Sequence, residues 1–216
     1  MTSGAQAYTR SVTATESRAE RKERTRAALL DGALGLLADR SLSALSLREV
    51  ARSAGIVPTA FYRHFASMDE LGVALVEDGM RMLRRMLREA RRDPAPRDAR
   101  TSLDILVRQV RANEGQFRFL SRERYGGVTE VRQAIASELR LFSSELSTDL
   151  GRNPALAGWP RSDLDMAADL IVGVMMTTVI DLLEVTGAGE EDVIGRAERQ
   201  LRLIIIGMGG WRPAAS

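Results

Sequence analysis

Residues 46–65, SLREVARSAGIVPTAFYRHF, constrain the fold more than any other part of this chain. They hold two short helical patterns joined at Ala54, Gly55 and Ile56. Ser46 and Glu49 have the spacing of a capping box, in which each side chain accepts from the other residue's backbone N–H, so a helix begins after Ser46. Leu47, Val50 and Ala51 recur at helical spacing and should turn inward, leaving Arg48 and Arg52 in water. Gly55 follows the last helical residue, where a left-handed backbone is easy only for glycine. Ile56 should then fold back onto Leu47 and Val50. Pro58 suits the first turn of the next helix, where its missing N–H costs nothing. Phe61 and Phe65, four apart, share its inward face.

The other face of that second helix is a row of donors. Thr59, Tyr62 and Arg63 stand at i, i+3 and i+4, with Ala60 and His64 beside them. Val57 offers no side-chain acceptor to the helix start, so the first N–H groups are free to meet an anion such as phosphate. A core face backed by a donor row is a helix-turn-helix reading, and it points to duplex DNA. The competing reading is a small helical hairpin with no role in binding. A second capping box at Ser67 and Glu70 opens a long helix at Met68.

The segment TRAALLDGALGLLADRSLSALSLREVARSAGIVPTAFYRHFASMDEL resembles the N-terminal DNA-binding domain of TetR-family transcriptional repressors over roughly residues 20–90. More narrowly, REVARSAGIVPTAFYRHF, the stretch DELGVALVEDGMRMLRRMLREAR and FRFLSRERYGG at 117–127 are similar to the FabR and DesT branch, which controls unsaturated fatty acid synthesis. The resemblance implies that the second helix enters a major groove, that Tyr62 and His64 touch phosphates, and that Ser46, Leu47 and Arg48 approach the backbone. Pro58, Thr59, Ala60 and Arg63 complete the expected DNA-binding set. Ala60 departs from the Thr or Ser commoner in the family, and its methyl can meet only a thymine methyl. Base reading would rest on Thr59 and Arg63.

Charge is distributed as this requires. Residues 1–66 hold ten basic against six acidic groups, and the remainder 21 against 23, so the basic excess coincides with the helix-turn-helix. Arg18, Arg21, Lys22, Arg24 and Arg26 make either a basic arm along DNA or a solvated helix face. With no cysteine, disulfides and Cys-rich zinc sites are excluded, and no metal or cofactor is expected. The start of the chain is polar, without the apolar core of a secretory signal. The longest uncharged run of the most apolar helix, Leu170–Ile180, is short for a membrane span. The expectation is a cytoplasmic protein with no membrane partner.

The pattern predicts an all-α chain of about nine helices. It divides into a disordered tail (1–17), a three-helix DNA-binding domain (18–66) and a helical ligand-binding and dimerisation domain (67–211). The first helix should bury Ala28, Leu29, Ala33, Leu36 and Leu37 and run to about Asp39. The fourth should span Met68 to Arg92, with Arg81, Arg84, Arg85, Arg88, Arg91 and Arg92 as a stripe that is either solvated or a seat for an anionic head group. Further helices are expected near 98–112, 115–124, 128–150, 161–186 and 190–207. The last two are apolar on more than one side, so two copies should pack as a four-helix bundle, giving a homodimer through helices eight and nine. Such a dimer fits a palindromic double-stranded operator with half-sites about one turn apart.

Regulators of this type respond to small molecules, so the resemblance implies an effector pocket. Candidate lining residues are Met82, Met86, Leu106, Phe117, Phe119, Met166, Val174, Met175 and Thr178, with ordinary core packing the competing reading for each. Methionines adapt to a flexible acyl chain, and the branch resemblance implies a small hydrophobic effector, with long-chain acyl-CoA as the specific expectation. The alternative is a repressor of an efflux or catabolic operon answering to a different hydrophobic molecule. An enzyme is disfavoured. His64 is the sole histidine, no nucleophile elbow, phosphate loop or zinc-protease motif is present, and Asp163, Asp165 and Asp169 are spread around one helix. An architectural DNA protein would need no large apolar C-terminal half.

Overall fold

The computed structural model describes residues 17–92 and 99–212, with the side chains of 86–92 left aside. The expectations for the N-terminal tail, for Met86, for the outer arginines Arg88, Arg91 and Arg92 and for helix termination at Pro94 and Pro96 lie outside the described residues.

Among the described residues the chain is helical, without strands. Its helices are α1 (Arg18–Leu36), α2 (Leu47–Ser53), α3 (Pro58–Phe61), α4 (Met68–Arg92), α5 (Ala99–Ala112), α6 (Glu114–Glu123), α7 (Thr129–Gly151), α8 (Arg161–Glu184) and α9 (Ala188–Gly210). Short 3-10 turns at Leu42–Ala44 and Pro154–Leu156 join them.

Local chemistry explains the boundaries. A capping box of Ser17 and Glu20, at the usual Ser-x-x-Glu spacing, opens α1. The box of Ser46 and Glu49 opens α2. Gly55 takes φ +68°. The Gly55 N–H then donates to Arg52 O at 3.1 Å and the Ile56 N–H to Ala51 O at 3.0 Å, closing α2 as a Schellman turn. The third helix is shorter than the pattern suggested: after Phe61 the chain continues as a turn, with Arg63 N–H to Ala60 O and His64 N–H to Phe61 O. α1 stops at Leu36 rather than Asp39, and α9 runs on through three glycines to Gly210.

Two cores result. Leu29, Ala33, Leu37, Val50, Phe61 and Phe65 form the first with Leu71 and Leu75 of α4, and it continues into α6 and α7 through Phe119, Val131 and Ile135. Packing therefore crosses the proposed boundary at residue 66 without a break. Leu103, Val110, Phe117, Leu182 and Ile194 centre the second, among α5, α6, α8 and α9. Ion pairs tie α5 to α9: Arg100 grips both oxygens of Glu191 at 2.9 and 3.1 Å, and Arg111 binds Glu190. By length and composition α8 alone among the described helices could cross a membrane, yet a third of its most apolar stretch is buried against the rest of the fold.

Candidate nucleic-acid interface and effector cavity

The helix-turn-helix presents its donors because its phenylalanines are pinned. Phe61 and Phe65 are at most 2% exposed, their rings 5.7 Å apart. The Arg26 guanidinium covers Phe65 at 4.9 Å, so one of the basic-arm candidates is engaged in packing. With that side fixed, Thr59, Tyr62 and Arg63 project outward, and Tyr62 is 63% exposed despite its size. Pro58 is exposed and Ala60 half-buried. Arg48 is exposed and Leu47 half-buried against the core. The Ser46 hydroxyl is occupied by its own cap, 2.8 Å from Glu49 Oε2. The Ser46 backbone N–H, donating to the same oxygen at 2.9 Å, then the hydroxyl and Arg40, lower the Glu49 pKa to about 2.

His64 lies half-buried beside the row, and its Nδ1 is shielded without a hydrogen-bond partner. Burial first, then the cations Lys22, Arg26 and Arg63, push its pKa down, so the free protein holds a neutral imidazole among positive groups. An anion beside the ring would offset the repulsion from these cations.

A second feature lies among α4 to α9. A cavity of about 440 Å³ opens there, within the usual range for ligand pockets. Leu106, Phe117 and Met175 of the anticipated set line it. Among the other described residues of that set, none does. Phe119 stands two positions from Phe117 on α6, on nearly the opposite side of the helix, and fills the first core. Met82 is displaced in the same way from the cavity-lining Met80 and borders a polar hollow with Asp78, Arg85 and Glu114. Met166 is exposed, Val174 packs in the second core, and the Thr178 hydroxyl donates to Val174 O at 2.8 Å.

The cavity draws instead on Ile105 of α5, on Ile135, Leu139 and Phe142 of α7, and on Ile171, Met176 and Val179 of α8. Apolar periodicity marks these as inward positions but cannot tell which inward side chains border a void. The described part of the arginine stripe is partly committed. Arg81 pairs with Glu77 and Asp78, and Arg84 pairs with Glu138 while lying over the Phe142 ring.

One link between the two features left no sequence signal. Arg122 and Glu123, on the same helix as the cavity-lining Phe117, Leu120 and Ser121, reach across to the end of α1 and the following turn.

Comparisons with known proteins agree with this geometry. Residues 29–75 match the family described as bacterial regulatory proteins, tetR family, and residues 96–207 match the tetracyclin repressor-like C-terminal domain. Among solved structures, the fatty acid degradation regulator FadR from Bacillus halodurans is 17% identical with a TM-score of 0.64, covering 88% of this chain and 97% of its own. FadR from Bacillus subtilis, in complex with stearoyl-CoA, is 16% identical with a TM-score of 0.64, over 84% and 98%. NalD, the secondary repressor of the MexAB-OprM multidrug efflux pump in Pseudomonas aeruginosa, is 22% identical with a TM-score of 0.62, over 87% and 97%. Family matches thus cover both the helix-turn-helix and more than half of the chain, and the fold is that of transcriptional regulators: this protein belongs to the TetR family of bacterial regulatory proteins.

Proposed function

We propose that the chain is a cytoplasmic, ligand-responsive repressor that binds a palindromic operator as a homodimer. The observation that carries this reading is the exposed row of Thr59, Tyr62 and Arg63 above two hidden phenylalanines, in a chain that also holds an open apolar cavity. Thr59 and Arg63 read base edges, while Tyr62, His64 and Arg48 hold phosphates. The other members of the DNA-binding set, Ser46, Leu47, Pro58 and Ala60, shape the two helix starts and the groove-facing stripe. The dimer forms through the exposed apolar faces of α8 and α9.

The effector is a long-chain acyl compound, with acyl-CoA as the specific candidate. The apolar, methionine-bearing cavity supports this, as does the likeness in fold to a FadR that holds stearoyl-CoA. The similarity to NalD supports the second reading, in which the regulated operon handles export and the ligand is another hydrophobic molecule. In either case the ligand acts by preferring one spacing of the two heads, through α4, which packs in both cores, and through the contacts from α6 to α1.

Footprinting on the DNA flanking the gene tests the first part. A discrete two-fold footprint is expected, and uniform coating would exclude a sequence-specific repressor. Repeating the titration with saturated and unsaturated acyl-CoAs tests the second. An unchanged operator affinity with both removes acyl-CoA as effector.

A further inference from the structure

The wall of the cavity is apolar, and among the described residues no charged side chain lines it. Ser102 and Ser121 are the hydroxyl-bearing residues of that lining, the Ser121 Oγ turned into the protein rather than into the void. Ser102 has an interaction of its own. Ser121 does not: its Oγ is buried and lacks a hydrogen-bond partner. A serine or threonine inside a helix ordinarily returns its proton to a carbonyl one turn back. Thr177 and Thr178 do so here, donating to Gly173 O and Val174 O at 3.1 and 2.8 Å. A buried hydroxyl that makes no such bond carries its desolvation cost uncompensated, and rotation about its Cα–Cβ bond offers it to a ligand.

We infer that the cavity takes an apolar chain bearing one uncharged oxygen function, a thioester, ester, amide or alcohol, that hydrogen-bonds Ser121 Oγ, and that it excludes an ionised head. An unpaired carboxylate or phosphate against these walls would be far more costly to bury than a neutral carbonyl. This rests on reading the cavity as the effector site and narrows the ligand to neutral acyl or alkyl derivatives; free fatty acid carboxylates are rejected, and any charged portion of the effector stays outside. Ser121 is therefore the residue that sets ligand class. It directly precedes Arg122, whose guanidinium holds the end of α1, so an oxygen seated on Ser121 sits one residue from the contact between body and head.

The test is calorimetric titration of the full chain at pH 8 with decane, 1-decanol, methyl decanoate and decanoate. The alcohol and ester should bind at least about tenfold more tightly than decanoate. Ser121→Ala should weaken both about five- to tenfold while leaving decane unchanged. Because the substitution deletes an unsatisfied hydroxyl, the variant should unfold at the wild-type temperature or above. Decanoate binding as tightly as the ester, or ester and alcohol affinities unmoved by the substitution, overturns the inference while leaving the effector cavity standing. If none of the four binds, the cavity is not an effector site and the inference falls with it.

Discussion

Arg122 closes the carbonyl end of α1 from across the molecule, its Nη1 donating to Leu37 O at 2.8 Å. The same guanidinium donates to Arg40 O at 2.8 Å and Ala38 O at 3.1 Å. α1 has no basic residue in its own last turn, so the cation that offsets the negative end of its dipole comes from α6. Glu123 completes the clasp by accepting from the Leu42 N–H at 2.8 Å. Arg122→Met keeps the aliphatic stem and removes these donors. It should lower unfolding stability by about 1.5–3 kcal/mol, the range for hydrogen bonds involving a charge. Arg122→Lys should restore only part, since an ammonium cannot span three carbonyls as a planar fork does. Urea unfolding measures this, and a wild-type midpoint in the methionine variant would show that the clasp does not hold the head.

Gly72 provides a test in which two effects have opposite sign. A Cβ there would stand 2.3 Å from Leu42 Cδ2 and 2.7 Å from Val131 Cγ2, because α4 threads between the 3-10 turn and α7. Helix propensity alone favours alanine over glycine by roughly 0.5–1 kcal/mol, whereas overpacking costs about 1–3 kcal/mol. Packing should win, and Gly72→Ala should destabilise. Gly35→Ala, in α1 with no neighbour within 4 Å of the added methyl, should instead stabilise by roughly the propensity term. Thermal unfolding of the pair separates the two effects, and a stabilised Gly72→Ala would mean that α4 has room to shift.

What was legible in the sequence were features encoded within a turn or two. The capping residues Ser46, Glu49 and Ser67, the left-handed Gly55 and the pairing of Phe61 with Phe65 act over three or four residues, and they mark α2, α3 and the start of α4. The cavity was less legible, because it depends on which stripes of six helices face one another. Phe117 and Phe119 look alike in sequence, yet a rotation of two residues puts one on the void and the other in the first core. The Arg122 clasp spans 85 positions to Leu37 and leaves no local pattern. Arg122 reads as one more exposed cation until α1 is brought beside it.

Arg63 and Tyr62 should separate base reading from phosphate holding. Tyr62 caps the short third helix and Arg63 lies in the turn that follows it, and both are exposed. Arg63→Ala should cost about 1–3 kcal/mol in operator affinity, concentrated at one base-pair position. Tyr62→Phe removes a hydroxyl without altering shape, so it should weaken binding evenly across sequences and leave the consensus intact. Selection of bound sequences from a random pool gives both answers. A consensus unchanged by Arg63→Ala would reassign that residue to the phosphate backbone.

The half-buried imidazole of His64 should make operator affinity depend on pH. Burial and the neighbouring cations Lys22, Arg26 and Arg63 depress its pKa, and Glu23 opposes them weakly. The ordinary value is about 6.5, so the folded, free protein binds this proton less readily than the unfolded chain. Its contribution to folding is present above pH about 6.5 and is lost as pH falls through the depressed value. If a phosphate sits beside the ring it should raise the pKa again, so that DNA binding takes up a proton and the affinity should rise as pH falls from about 6.5. Stability and operator affinity should therefore move in opposite directions. Anisotropy titrations at pH 7.5 and 5.5, at one salt concentration because phosphate binding is salt-dependent, should show a slope that His64→Gln flattens. An equal slope in the variant would place the titrating group elsewhere.

Helices α8 and α9 both carry apolar residues on more than one side. On α8, Ile171, Met175 and Val179 face the cavity, while Met166, Leu170, Gly173, Thr177 and Ile180 form an exposed stripe at alternating steps of four and three. On α9, Leu201 lines the cavity while Leu203 and Ile206 are 70% and 63% exposed, with Gly207 and Gly210 beyond them. Each helix thus has one apolar face used inside the protein and another left open. Glycines on the open face let a second backbone approach closely, and a second copy of the same pair would cover both stripes as a four-helix bundle. Ile206→Glu places a carboxylate in that seam, where burial without a partner is strongly unfavourable, yet on the free chain it only exposes a charge to water. The variant should keep wild-type helicity by circular dichroism, scatter light as a monomer and lose operator binding, because a single head cannot span two half-sites. A variant that remains dimeric would place the interface on another surface and leave these stripes to a different partner.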